Sequence, residues 1–516
     1  MGILMIRAGR FLGLTAGLLL SCAALADPWA PPGDMILRHD VQLLADAGII
    51  RSPVTTWPIS WATLDADISE ADLSQINGLA TGQRAAFQRV RDRIRANKDL
   101  SGIQPNAEIS ARTDDFWLRT FEDTPREEGE VRAGASWMGG RFAVRVQGSH
   151  IGDPEDPDNQ NWRMDGSYAA VSLGNQILSA GAIDRWWGPS WDNTLIFSSA
   201  ARPIGGFALE RNVAKAFDTK WLSWIGPWNY SLFWGFLGDN RAVDNARLMA
   251  FRVGFRPWQS LEIGLTRSAI WCGSGRPCDA DAVWDIIVAN DNTGEGDITA
   301  GNDPSNQLAA IDFRWASPWG DGPWAIYSQW VANDETNNLP SQWFGQAGFE
   351  WWGELKTRWI SGSYTAHFEV SDTLAEFWES DPAYDLAYNH GTYQSGYRYK
   401  GKPIGAAADG DSLVVSAGLS LVESADRSWN TLVRWSKLNK DSDGTGFNAI
   451  HAAARDETDT WGVQLSHRRS LRVKALNLGW ISAGVGFQHS DNQVTGDKDD
   501  DFQGFLQWTW DPQGVW

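Results

Sequence analysis

From about Glu108 to the C-terminus, apolar and polar residues alternate with a period of two. Phe142, Val144 and Val146 interleave with Ala143, Arg145 and Gln147. Tyr230, Leu232, Trp234 and Phe236 interleave with Asn229, Ser231 and Gly235. The same holds for Met249 to Arg256, Ile311 to Trp315, Val415 to Leu421 and Trp461 to Ser466. Successive side chains of a strand point to opposite faces. Each segment therefore has one apolar, aromatic face and one face of Gly, Ser, Gln, Arg or Glu. A sheet over a soluble core gives the same pattern, but two features favour a membrane barrel. Trp228, Trp258, Trp324, Trp343, Trp352, Trp429 and Trp480 sit at strand ends, where indole suits headgroup depth. Turn lengths also alternate: Arg256 to Gln259, Gly353-Glu354 and Ala425-Asp426 read as tight turns, whereas 271–306, 371–411 and 439–458 are long and polar.

Lipid cannot satisfy a strand edge, so such a sheet must close on itself. The spacing predicts about 18 strands at ~10 residues each, an antiparallel transmembrane β-barrel over 105–516. An even number returns both ends of the barrel to the periplasm. The last strand reads from Phe502 to Trp510, and the chain ends on Trp516 after Pro512.

Residues 27–104 have helical period instead. Asp34 is placed to cap a helix carrying Leu37, Val41, Leu44 and Ala47 and ended by Gly48. Ser60 is placed to cap a second helix, and Thr81 a third with Phe87, Val90 and Ile94 on one face. Arg84, Arg89, Arg91, Arg93 and Arg95 make the third basic, either as a solvated face or for contact with acidic barrel groups or lipid headgroups. Ahead of it, residues 1–26 read as a secretory signal. Arg7 and Arg10 precede the apolar stretch from Phe11 to Leu20, and Ala24-Leu25-Ala26 offers a small-x-small cleavage site.

Composition narrows the picture. The chain has 516 residues, a formal net charge of −20, 32 Trp and 52 Gly. Its acidity argues against a nucleic-acid partner. After the signal only Cys272 and Cys278 remain, close enough to form one local disulfide in an exported protein. Seven His, none in a nucleophile motif, give no catalytic site, and no metal or cofactor is expected. Asn439 to Gly444 mimics half a calcium loop, but the twelfth position is Ile450, so a hairpin loop fits better. The inward faces carry Arg145, Arg252, Arg256, Arg314, Arg434, Asp312, Glu262 and Glu350. Opposed charges could bridge across the lumen and close it, or line an ion-selective porin or substrate-specific channel.

One stretch breaks the alternation: Asp184-Arg185-Trp186-Trp187-Gly188-Pro189-Ser190-Trp191-Asp192-Asn193, continuing through Ala201-Arg202-Pro203 to Arg211. Three Trp beside Gly-Pro do not make a regular strand. They suit a rigid loop presenting flat faces to sugar rings, with Asp192, Arg202 and Arg211 pairing with hydroxyls or uronate carboxylates. Packing inside the barrel mouth is the other use for such a loop. Together with Asp27-Pro28-Trp29, Leu37-Arg38-His39-Asp40, Gln42 to Gly48 and Pro53 to Pro58, this stretch resembles the Wzi family of capsule-assembly proteins. The resemblance implies an 18-stranded outer-membrane barrel with a small periplasmic helical bundle. It implies a non-enzymatic, monomeric lectin whose partners are capsular or exopolysaccharide and the lipid and lipopolysaccharide around it.

Overall fold

The computed structural model describes residues 27–511 apart from 101, 114–117, 289–304, 318–321, 337–338, 359, 425–426, 441–450 and 474–475. The expected signal segment, the terminal Trp516 and most of the calcium-like loop lie outside the described residues.

Eighteen antiparallel strands close into one barrel. They run from Ile103–Arg112 to Lys498–Trp510, and these two pair to seal the cylinder, with Phe505 opposite Arg112 and Trp510 opposite Ala107. One strand is interrupted: Trp162–Arg163 and Tyr168–Leu173 both pair with Phe142–Ile151. Outward positions such as Phe142, Val146, Phe251, Leu265 and Leu506 are exposed apolar side chains, as a lipid-facing wall requires. The positions between them are buried polar ones, including Gln147, Arg252, Thr266 and Gln507. Among the described residues no helix is long and apolar enough to cross a membrane, so crossing is the work of the strands.

The connections sort onto two ends. Pairs such as Trp258/Leu261 and Leu173/Gln176 are joined tightly at one end. Segments 183–204, 272–288 and 373–412 lie at the other. Tight turns mark the periplasmic end and long loops the outer end. The turn expected at Gly353-Glu354 falls later, because Leu339–Lys356 runs on unbroken to pair with Ser361.

The N-terminal region plugs the periplasmic half of the barrel. Its helices are α1 (Met35–Asp46), α2 (Trp61–Glu70), α3 (Leu73–Gly78) and α4 (Thr81–Asp99). Asp34 caps α1 by accepting from the Leu37 amide at 2.9 Å, and Ser60 caps α2. Thr81 is not a cap. It is the first residue of α4, where the Gln83 side chain accepts from the Ala80 amide instead. The basic face of α4 is divided: Arg89 and Arg93 turn toward α1, with Arg89 to Asp40 at 2.6 Å and Arg93 to Asp34 at 2.8 Å. Arg95 is largely exposed.

The inward charges of the wall meet the plug more than one another. Arg314 binds Asp46 of α1 at 2.7 Å and also reaches Glu350. Glu350 accepts from Gln42 at 2.8 Å, and Glu262 accepts from the amides of Val54 and Thr55. Arg256 donates to the carbonyls of Ala45 and Ile50. Arg252 and Asp312, on the strands either side of Leu261–Trp271, pair directly at 2.6 Å. These wall charges are buried, so each needs a close partner. His39 of α1 is fastened through both ring nitrogens, to Thr365 at 2.7 Å and Ser363 at 2.8 Å. Burial lowers its pKa to about 4, so it is neutral at pH 7. Two of the strand-end tryptophans belong to this interface rather than to lipid. Trp480 packs on Ile36 and Val422, and Trp352 packs against the plug beside Arg314.

Candidate functional site

The Trp-rich segment enters the lumen from the outer end and meets the plug. Trp186 and Trp187 pair as a short antiparallel bridge with Trp57 and Thr56. All three sequence-marked tryptophans are shut in: Trp186 and Trp187 at 0% and Trp191 at 1% exposure. The stacking platform expected of Trp186, Trp187 and Trp191 is therefore not presented to solvent. The reason is that every face has a partner. Phe121 meets Trp186 edge-on at 5.5 Å, Phe197 covers Trp187 at 4.7 Å, and His367 stacks on Trp191 at 5.7 Å and 8°.

Most polar atoms of the segment are occupied as well, the Trp187 indole nitrogen and Arg185 Nε excepted. Arg38 of α1 donates to the carbonyls of Pro189 at 2.8 Å and Ser190 at 2.6 Å. Its guanidinium lies 4.3 Å from the Phe121 ring and 4.2 Å from the Trp191 ring. Burial lowers the Arg38 pKa to about 10, against the pull of Glu369 and Glu350, which still leaves it charged at pH 7. The Trp191 indole donates to Glu350 at 2.7 Å. Its amide and that of Asp192 donate to Glu369. The Asp192 carboxylate holds His367 at 2.9 Å and accepts from Ser416 at 2.6 Å. Burial opposes its charge, but His367, Arg434 and the Ser416 hydroxyl together outweigh burial and keep its pKa below the ordinary carboxylate value. Gly188 (φ +155°) allows the tight path, since a Cβ there would lie 2.6 Å from Thr194 Oγ1. Gly418 leaves room for the His367 ring, which a Cβ would meet at 2.2 Å.

Asp192, His367 and Glu369 bring ligand-type atoms within 4.8 Å of one another. Their oxygens are already engaged by Ser416, Tyr327 and the amides just named, so the set works as a hydrogen-bonded fastening.

Above this layer the loop 373–412 closes the outer half. Tyr388 donates to the Leu195 carbonyl at 2.5 Å, Tyr397 to that of Ile196 at 3.0 Å, and Ser198 to that of Gly405. Trp187, Leu195, Phe197, Phe233, Tyr388 and Tyr397 form one apolar core. Three layers, plug, inturned loop and outer loop, thus occupy the lumen, and a cavity of 310 Å³ remains between the plug and the wall beside Glu108, Arg132, Arg145 and Gln507.

The other sequence-marked residues separate. Arg211 ends its strand at the periplasmic side, with its guanidinium 3.9 Å from the Trp228 ring, away from the Trp segment's outer approach. Cys272 and Cys278 are joined as a disulfide. They lead into α5 (Ala280–Val288), whose Ile286 and Val283 pack with Trp271 while Trp284 stays exposed. Asp192 borders a small cavity of 40 Å³ beside His367, and Arg202 reaches a larger one. Arg202 is gripped by Asp165 at 2.8 Å and Asp156 at 3.1 Å. Burial opposes its charge, but these carboxylates outweigh it and raise its pKa above the usual arginine value.

That cavity, of 160 Å³, lies at the outer mouth between the loops 118–127, 152–158 and 200–203 and the strand Lys498–Trp510. Its cationic lining is Arg112, Arg119, Arg126, Arg202 and Lys402, against the carboxylates of Glu127, Glu155 and Asp156. Arg119 donates to the carbonyls of Ser199 and Thr124, and burial beside Arg126 lowers its pKa to about 9. Arg126 binds Asp184 at 2.9 Å. Phe505, Pro125 and Pro403 supply apolar wall. Gln503 completes it: it is 6% exposed, and neither its amide nitrogen nor its oxygen has a partner. Fork-shaped cations, carboxylates, an amide and an aromatic wall together match the donors, acceptors and C–H faces of a sugar. The sequence did signal Gln503, as an inward position of the alternation through Phe502, Leu506 and Trp508. Nothing local shows that closure sets this strand beside Arg112.

Comparison with known proteins agrees with the fold. Residues 105–503 match the family of the capsule assembly protein Wzi. A protein of Klebsiella pneumoniae, described as an uncharacterized 55.8 kDa protein in the cps region, is 30% identical over 447 residues, spanning 84% of this chain and 82% of that one. The outer-membrane protein Wzi of Escherichia coli, described as a carbohydrate-binding β-barrel involved in group 1 capsule assembly, superposes with a TM-score of 0.77 at 26% identity. That match covers 93% of this chain and 98% of the other. The closed eighteen-strand barrel, its plug and these matches place the protein in the outer membrane, and the chain belongs to the Wzi family of capsule assembly proteins.

Proposed function

We propose that the protein binds capsular or exopolysaccharide at its outer mouth and attaches it to the cell surface without chemical change. One observation carries this reading: plug, inturned loop and outer loop occupy the lumen beneath a cavity lined for sugar at the outer end. Layers that pack on one another across the lumen suit a fixed support better than a conduit. Their rigidity serves to hold a mouth in fixed shape. The carbohydrate binding described for the similar Escherichia coli protein supports the same reading. Arg202 is the sequence-marked residue we retain at the sugar site. Trp186, Trp187, Trp191 and Asp192 support it from below, and Arg211 has no part in it.

Residues 1–26 direct export and are removed in this reading, leaving 27–104 as the periplasmic plug and 105–516 as the barrel. Lipid and lipopolysaccharide surround a single copy, and Trp284 of α5 is exposed at the outer end.

The test is surface retention. Cells lacking the gene should shed polysaccharide into the medium, and the intact gene should restore it to the surface. Purified protein should capture the same polysaccharide. Absence of capture, together with large stable openings in planar bilayers, would favour the channel instead.

A further inference from the structure

The mouth cavity contains one feature that the described packing does not explain. Gln503 is nine-tenths buried, yet both ends of its amide are unpaired. Buried amides are normally satisfied. Two other buried amides share this state, Asn306 and Gln346. Gln503 is distinguished by its place on the cavity wall. There its backbone neighbours are fixed. Gly504 is tied to Thr113 by the amide-to-hydroxyl bond of 2.8 Å, and Phe505 pairs with Arg112 across the barrel closure. The amide is thus presented from a rigid strand, with one donor group and one acceptor side by side.

An amide in that state complements two neighbouring hydroxyls, one accepting from the nitrogen and one donating to the oxygen. The Phe505 ring and the prolines at 125 and 403 offer apolar surface for the C–H face of the same ring. The volume of 160 Å³ suits one sugar unit rather than a stretch of chain. We propose that this cavity is a subsite for a single pyranose unit of the polysaccharide, with Gln503 pairing to its vicinal hydroxyls. The inference rests on the polysaccharide-binding reading above and adds to it the ligand class and the residue that reads it.

The experiment compares wild-type protein with Gln503→Met and Gln503→Asn, each full length in detergent micelles. The readouts are capture of the purified surface polysaccharide and the thermal unfolding midpoint. Methionine keeps the length of the side chain and removes both polar groups. Asparagine keeps the amide but draws it back by one methylene. A site built to hydrogen-bond a hydroxyl loses strongly when that bond is lost. Gln503→Met should therefore weaken capture by roughly tenfold or more, and Gln503→Asn should weaken it also. The midpoint should stay level or rise, because a buried amide without partners contributes nothing to the fold. A purely structural Gln503 would lower the midpoint instead. Methyl glucoside, with its neighbouring hydroxyls, should compete with the polysaccharide for the wild-type protein more strongly than a 2,3-dideoxy analogue. Undiminished capture by Gln503→Met, equal competition by the two glycosides, or a fall in midpoint that parallels the loss of capture would each overturn the subsite. If the wild-type protein itself captures no polysaccharide, the broader reading fails and the subsite falls with it.

Discussion

Two regions of the lumen, one at its centre and one at its outer mouth, use similar residues for opposite ends. At the centre, Trp186, Trp187 and Trp191 are surrounded, and Arg38, Asp192, His367 and Glu369 fasten the segment to the plug and the wall, with only single nitrogens such as the Trp187 indole and His367 Nδ1 left without a partner. At the mouth, arginines are again gripped by carboxylates, but Gln503 is left with both amide groups unpaired beside an open volume. Aromatic density therefore marks where this barrel is fastened. An unsatisfied polar group beside a cavity marks where it can accept a guest. Satisfied networks rigidify, and a rigid centre is what lets the mouth keep its shape.

The comparison breaks most easily at Arg38. Arg38→Ala removes the donors to Pro189 and Ser190 and leaves Glu350 and Glu369 with less compensating charge. We expect a loss of about 3–5 kcal/mol, read as a fall in the thermal midpoint of the purified barrel. Openings should also appear in planar bilayers as the inturned loop comes free of the plug. An unchanged midpoint would mean that this contact does not fasten the two.

A smaller effect is expected from Trp191→Phe. The ring stack on His367 is kept in part, but the indole donor to Glu350 is lost. One buried acceptor then loses a partner, costing about 1–3 kcal/mol. Chemical denaturation with an unchanged slope would measure it.

The third test is titration. His39 is held neutral, with its pKa lowered to about 4 by burial. The unfolded chain takes up this proton more readily than the folded one below the ordinary histidine value near 6.5. The stability His39 contributes is thus complete above about pH 6.5 and is lost as the pH falls toward 4. Wild-type protein should lose more of its midpoint between pH 7 and pH 4.5 than His39→Gln does. Parallel curves for the two proteins would remove His39 from the account.

The smallest effect is expected on the outer wall. Trp284→Ser on α5 alters an exposed side chain, and it should change stability by no more than about 0.5 kcal/mol and leave polysaccharide capture untouched. A marked loss of capture would extend the functional surface from the mouth to α5.

Much of the fold was legible because a barrel wall is written in period two. Phe142, Val144 and Val146 against Arg145 and Gln147 face as the alternation requires, and the Asp34 and Ser60 caps stand where the sequence puts them. The errors have physical causes. Trp352 and Trp480 read as lipid anchors, yet they pack on the plug, because an indole at a strand end serves either face of a filled barrel. The inward charges read as bridging across a lumen, but Arg314, Glu262 and Arg256 bind a segment over two hundred residues away in sequence, which no local pattern reveals. The site was harder still. Three tryptophans beside Gly188-Pro189 suit sugar contact and core packing equally well from composition. Only the fold shows that Arg38, Phe121 and His367 occupy their faces. Gln503 was visible as an inward amide, but its neighbours Arg112 and Arg202 reach it through barrel closure and an outer loop.

The claim that binding belongs to the mouth and fastening to the centre is tested most directly by one measurement: polysaccharide capture by Trp191→Phe and Gln503→Met side by side, below the midpoint of both. The account predicts near wild-type capture by Trp191→Phe despite its lower midpoint, and weak capture by Gln503→Met despite an undiminished one. Loss of capture in Trp191→Phe with full capture in Gln503→Met would contradict it.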